Sequence, residues 1–179
     1  MRIVIVHGFS GKANNGWRKW LGEKLEKKGY QVFQPQMPNP RFPKLEKWLE
    51  TLSLTIGKPG NDLILIGHSL GCITILRYLE RTNQKIKAVI LVAGFSSNSG
   101  LPIIDAFTKK QLNWAKIKKS CSKFICFNST NDPFVRLSEG NNFNKKLNAK
   151  LIIMKEKGHL SSRDLQIFPE LLKQINKLI

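Results

Sequence analysis

The stretch Leu63-Ile64-Leu65-Ile66-Gly67-His68-Ser69-Leu70-Gly71 ends an apolar run in Gly-x-Ser-x-Gly, and the helix-forming residues Ile73 to Glu80 follow at once. Strand, tight turn and helix are the reading. A serine on so tight a turn is held in strained backbone geometry, and the flanking glycines let strand and helix approach closely. The hydroxyl then stands clear at the strand's C-terminal end. There the Leu70 N–H and the helix N-terminus face the negative charge that develops on an attacked carbonyl. By average residue usage, such a pentapeptide arises by chance about once in twenty chains of this length. An apolar strand immediately before it and a helix immediately after make coincidence much rarer, so Ser69 is read as a nucleophile.

Working outward, 179 residues suit one domain, 1–179, with a real hydrophobic core. Met1-Arg2 runs directly into Ile3-Val4-Ile5-Val6, too short for a signal core, and His7-Gly8 stands where small residues would mark a cleavage site. No apolar run reaches membrane-spanning length, so a cytoplasmic location is expected. Cys72, Cys121 and Cys126 have no metal-type spacing and cannot all pair. They are read as reduced packing residues, and neither a metal nor a cofactor is expected. The formal charge is +18, yet lysines recur along the whole chain without a long basic run, and arginine is much the rarer cation. The reading is a lysine-rich solvated surface giving weak, non-specific anion binding, with no obligatory nucleic-acid partner.

In chain order, strands are expected at 2–6, 30–34, 63–68, 86–92, 123–128 and 150–154. Helices are expected at about 16–29, 44–52, 73–80, 136–147 and 164–178. Pro35, Pro38, Pro40 and Pro43 exclude regular structure between the second strand and the helix after it. Ser96-Ser97-Asn98-Ser99-Gly100 is a loop by composition, and residues 93–119 form a small excursion overhanging the C-terminal edge of the strands. Strands alternating with helices demand a mostly parallel sheet covered on both faces.

A serine hydroxyl needs a base to take its proton and a carboxylate to orient that base. Behind an elbow of this kind the order is serine, then acid, then histidine. Asp132, in Asn131-Asp132-Pro133 after the fifth strand, and His159, in Gly158-His159 after the sixth, occupy those places. Asp62 precedes the elbow, Asp105 lies in the excursion and Asp164 follows His159, so none fits. His7 and His68 are read as structural. The glycine-bearing loop His7-Gly8-Phe9-Ser10-Gly11 ends the first strand, and its Phe9 N–H is the expected second oxyanion donor beside Leu70 N–H.

Together these residues resemble the α/β-hydrolase superfamily and, more narrowly, the small serine hydrolases of the YdeN and retinoblastoma-binding-protein-nine type. The likeness runs through His7-Gly8, Trp17, Pro35 to Pro40, Trp48, the elbow, Asn131-Asp132-Pro133 and Gly158-His159. The chain departs from that pattern in carrying Asn15-Gly16 ahead of Trp17, at the rim of the pocket. The resemblance implies a compact three-layer α/β fold whose sheet of about six strands runs 2-1-3-4-5-6. It also implies hydrolysis of a small acyl substrate, an ester, thioester or amide, through an acyl-enzyme. Phe95, Phe134 and Trp17 are the expected substrate contacts, with Phe9, Phe107 and Trp114 as further apolar residues near the cleft. Phe107 and Trp114 are expected mainly to pack the excursion onto the sheet. The alternative is a binding module on the same fold for an acidic protein or nucleic acid.

Overall fold

The strands Arg2–Val6 (β1), Gln31–Phe33 (β2), Leu63–His68 (β3), Ala88–Val92 (β4), Phe124–Ser129 (β5) and Lys150–Met154 (β6) pair side by side, all parallel, in the order β2-β1-β3-β4-β5-β6. The computed structural model describes residues 1–97 and 100–179, so Asn98 and Ser99 of the expected loop lie outside the described residues. Strands β3, β4 and β5 are buried at every position, which is why Leu63–Ile66, Ala88–Val92 and Phe124–Phe127 read as continuous apolar runs instead of alternating ones.

Alternation nonetheless decides which helix each residue meets. Ile64 and Ile66 of β3, with Ile3, Ile5, Ile90 and Phe127, face the helices Trp17–Glu26 (α1) and, at the far end of the chain, Pro169–Asn176. Leu63 and Leu65, with Val4, Leu91 and Cys126, face the opposite layer. That layer holds Leu45–Ile56 (α2), Leu70–Arg81 (α3), Asp105–Thr108 (α4), Trp114–Ser120 (α5) and Leu137–Leu147 (α6), and Pro169–Asn176 is α7. A 3-10 turn, Pro102–Ile104, opens the excursion before α4.

The last helix starts five residues later than the expected Asp164, for a local reason. The Asp164 carboxylate accepts the Ser161 N–H at 2.8 Å and the Ser161 hydroxyl at 2.7 Å, and Leu165 N–H donates to Ser161 O at 2.9 Å. These bonds close a turn where a helix would have begun, and Pro169 then sets the first helical position. Because all strands run one way, the loops after β1, β3, β4, β5 and β6 gather at one end of the sheet, and the helices end at the other.

Candidate active site

Ser69 sits between β3 and α3 with φ 51° and ψ −116°, a conformation L-residues rarely adopt. Its N–H donates to Val92 O at 2.9 Å, and its carbonyl accepts Cys72 N–H at 2.9 Å, so both neighbouring elements hold the turn. Glycine at 71 is required by close approach, since a Cβ there would overlap the Val6 carbonyl oxygen of β1. The Gly8 backbone runs directly beside the serine, a Cβ on Gly8 falling 2.9 Å from Ser69 Cβ. Among the described residues nothing accepts a hydrogen bond from the N–H of Phe9 or of Leu70. Leu70 follows Ser69 in the chain and Phe9 follows Gly8, whose backbone runs beside the serine, and neither N–H is spent on the fold.

Across the sheet, His159 Nδ1 lies 2.8 Å from Asp132 Oδ2 and 3.0 Å from Oδ1. A carboxylate only accepts, so Nδ1 carries the proton and Nε2 presents a lone pair. The Asp132 side chain is fully shielded from solvent. Its Oδ1 also accepts the N–H groups of Phe134 (2.9 Å) and Val135 (3.0 Å), which fixes the carboxylate plane. The loops that carry Asp132 and His159 are laced together by three short polar side chains at the end of β5 and just beyond it. Ser129 Oγ accepts Lys157 N–H at 2.9 Å, Thr130 Oγ1 accepts Glu156 N–H at 3.0 Å, and Asn131 Oδ1 accepts Gly158 N–H at 2.8 Å.

Two further side chains hold the His159 loop. His68 Nε2–H donates to the carbonyl of His159 at 3.0 Å, with the two rings 5.0 Å apart, so the turn that carries Ser69 is tied directly to the loop after β6. Trp17 Nε1–H donates to the carbonyl of the next residue, Leu160, at 2.8 Å. Leu160 is wholly buried at φ 50°, and the bond holds it there. This corrects the expectation for Trp17: it is fully buried against Phe168 and His68 and does not reach a substrate. Asn15-Gly16 serves the same junction. A Cβ on Gly16 would fall 2.7 Å from Ser162 Cα, and Asn15 Nδ2 donates to Ser162 Oγ at 3.3 Å.

Burial drives the His68 imidazole well below its ordinary pKa, and the nearby His159 and Arg18 add to the effect. His7 is lowered too, chiefly by burial; its Nδ1–H donates to Gly8 O at 2.8 Å and its Nε2 accepts Met37 N–H at 3.0 Å. Both are neutral structural histidines, as expected. Arg18 is 2% exposed, held by the carbonyls of Lys12 and Ala13, and burial lowers its pKa to about 10, which leaves it charged at neutral pH.

Of the other aromatic residues, Phe134 is 73% exposed with its ring 5.1 Å from His159, and Phe9 is 36% exposed on the loop beside Ser69. Phe95 is buried just after β4. Phe107 is buried against Trp48, and Trp114 packs on Phe143. A cavity of about 550 Å³ opens farther along the same loop, between Ser10, Lys12, Gln36 and Arg41, and neither Ser69 nor His159 lines it. Among the described residues no cluster of three His, Cys, Asp or Glu side chains is gathered for a metal, and no helix is long and apolar enough to cross a membrane.

A family profile described as serine hydrolase matches residues 3–176. The chain belongs to the serine hydrolase family. Within it, the chain is 34% identical over 161 residues to YdeN of Bacillus subtilis (strain 168), covering 88% of this chain and 85% of that protein. It is 31% identical over 183 residues to serine hydrolase RBBP9 of Rattus norvegicus, covering 99% and 95% respectively. The crystal structure of the B. subtilis ydeN gene product matches with a TM-score of 0.93 at 30% identity, over 99% of this chain and 97% of that one. This serine hydrolase is therefore an α/β-hydrolase of the YdeN and RBBP9 type. Est1E from Butyrivibrio proteoclasticus, 16% identical with a TM-score of 0.71, covers 98% of this chain and 88% of its own, and shares the fold.

Proposed function

We propose that Ser69, His159 and Asp132 form a catalytic triad that hydrolyses a small carboxylic ester, thioester or amide through an acyl-enzyme, an ester being the favoured bond. The observation that carries this reading is the buried Asp132 bonded to His159 Nδ1, with the His159 backbone bonded in turn to His68 of the elbow. His159 Nε2 takes the Ser69 proton as Oγ attacks the acyl carbon. The oxyanion is received by the N–H groups of Phe9 and Leu70, and Asp132 stabilises the imidazolium. The imidazolium returns its proton to the leaving oxygen, and water then repeats the sequence on the acyl-serine to release the acid. The Ser69 hydroxyl has no hydrogen-bond partner among the described residues. Such contacts commonly tighten only when substrate closes the site.

Phe9, Phe95 and Phe134 would wall a shallow acyl cleft, overhung by residues 93–119, in a single domain of 1–179 acting in the cytoplasm. Ester cleavage demands the least leaving-group assistance, whereas an amide would need well-ordered protonation of a basic amine. Each added methylene gains about 0.8 kcal/mol only while apolar wall remains to cover it. Specificity over p-nitrophenyl esters is thus expected to peak at about two to four acyl carbons, with Ser69→Ala inactive throughout. A kcat/KM still rising at about eight carbons would refute the shallow cleft, and activity retained in Ser69→Ala would refute the triad.

A further inference from the structure

The lysines, scattered along the sequence, are gathered in space. In a parallel α/β sheet every crossover helix returns the chain to the N-terminal edge of the strands, so the helix C-termini all lie at the end opposite Ser69. Here α3 is followed by Lys85 and Lys87, which lead into β4. The last turn of α5 carries Lys118 and Lys119, with Lys123 immediately before β5. The last turn of α6 carries Lys145 and Lys146, and Lys150 opens β6.

These segments are neighbours. Ile86 N–H donates to Ser120 O at 2.9 Å, Val89 N–H donates to Lys123 O at 2.9 Å, and Lys150 pairs in register with Ile125. All eight lysines are exposed except Lys87, which is partly so. Among the described residues none of the eight forms an ion pair. Between Glu80 and Asp132 the chain has only Asp105, which opens α4, and between Glu139 and Glu156 it has none. The acidic residues of helix first turns, Glu46, Asp105, Glu139 and Glu170, fall at the Ser69 end. Glu26, Asp62 and Glu80 lie at the lysine end, where Asp62 is paired with Arg2 and Glu80 with Arg77. One cation per helix end would answer the helix dipole, about half a charge each. The lysines here exceed that.

We propose that this face docks the protein on an anionic lipid bilayer, leaving the Ser69 end turned to the aqueous side. The cations lie at three adjacent strand starts and at the helix ends beside them. They are lysines, hydrated point charges suited to diffuse attraction, whereas arginine reads phosphate and bases bidentately. No exposed aromatic ring lies among them to stack on bases, since the exposed phenylalanines are Phe9, Phe33, Phe42 and Phe134. The exposed apolar residues at this end, Leu54 in the last turn of α2 and Ile179 after α7, are two single side chains on separate elements, so association is chiefly electrostatic and reversible. The substrate then reaches Ser69 from water, not from the bilayer beneath.

The test is sedimentation with vesicles of phosphatidylcholine alone or containing about one-third phosphatidylglycerol. The full chain is expected to bind only the anionic vesicles and to dissociate as salt shortens the Debye length from about 10 Å to about 3 Å. Each lysine near such a surface is worth about fivefold in partition. The variant Lys118→Gln, Lys119→Gln, Lys145→Gln, Lys146→Gln should therefore lose at least about 100-fold in vesicle binding. Its circular dichroism melt should fall by no more than a few degrees, the loss expected from the helix ends, and its ester turnover in solution should be unchanged. A variant with the same charge loss at the other end, Lys12→Gln, Lys19→Gln, Lys44→Gln, Lys155→Gln, should keep its binding. Equal loss in both variants, no anionic-vesicle binding at low salt, or tighter binding to duplex DNA at equal phosphate concentration would each overturn the proposal. None of these outcomes depends on the triad, so failure here and failure at Ser69 are separate results.

Discussion

Trp17→Phe removes one hydrogen bond and little else. The indole N–H donates to the Leu160 carbonyl at 2.8 Å in the core, with both residues fully buried. Phenylalanine keeps an aromatic ring for the edge contacts with Phe168 and His68, but it has no donor. An orphaned buried carbonyl costs about 1–3 kcal/mol, and the space left by the smaller ring adds about 1 kcal/mol. The sum is about 2–4 kcal/mol, and for a protein of this size each kcal/mol lowers Tm by about 2–4 °C. A fall of about 5–15 °C is expected. Leu160 is held at φ 50° one residue beyond His159, so the base loop loosens with it. On p-nitrophenyl acetate, kcat should drop by about three- to tenfold with KM nearly constant, because a misplaced base weakens the transition state and not ground-state binding. Urea denaturation followed by circular dichroism, alongside ester kinetics, reads both effects. A stability loss below about 0.5 kcal/mol with unchanged kcat would refute the argument that Trp17 holds the base loop.

Two further outcomes follow from the site. Asp132→Asn removes the acceptor that fixes the His159 tautomer, and it should lower kcat by about 10³–10⁴-fold with KM within about threefold, as steady-state kinetics would show. His7 and His68 are held neutral by burial, with pKa values below the unfolded value of about 6.5. As pH falls through that value, the unfolded chain takes up protons that the folded chain refuses, so stability is full above about pH 7 and declines on the acid side. The limiting slope is about 1.4 kcal/mol per pH unit for each histidine, and urea midpoints at about pH 5 and pH 7 should differ accordingly. Equal midpoints would contradict neutral burial.

The strands and the order of the candidate site were legible because each is a local signal. Runs such as Leu63–Ile66 can only be buried strands beside a glycine turn, and Lys150–Met154 and Arg2–Val6 match their expected bounds. What escaped reading is tertiary. Trp17 shows helical spacing and aromatic bulk, but its bond to a carbonyl 143 residues away leaves no trace in either. Ser129, Thr130 and Asn131 look like an ordinary polar loop, and the one available signal was their known habit of bonding nearby backbone. The start of α7 differs from the expectation because Asp164 suits a helix N-terminus and a local turn equally; here its carboxylate closes a turn on Ser161, and the Ser162 that follows packs closely on Gly16, the residue before α1. The lysine face was invisible for a different reason: Lys85, Lys119 and Lys146 are far apart in sequence, and only the crossover topology brings them to one end.

The central claim is that Ser69 is an activated nucleophile, and covalent labelling tests it most directly. A fluorophosphonate probe reacts when an activated serine oxygen displaces fluoride, and intact-protein and peptide mass spectrometry then locate the adduct. The account predicts one adduct per chain, on the peptide carrying Ser69, lost in Ser69→Ala and strongly slowed in His159→Ala. A folded wild-type protein that takes up no probe, or an adduct that persists in Ser69→Ala, would contradict it.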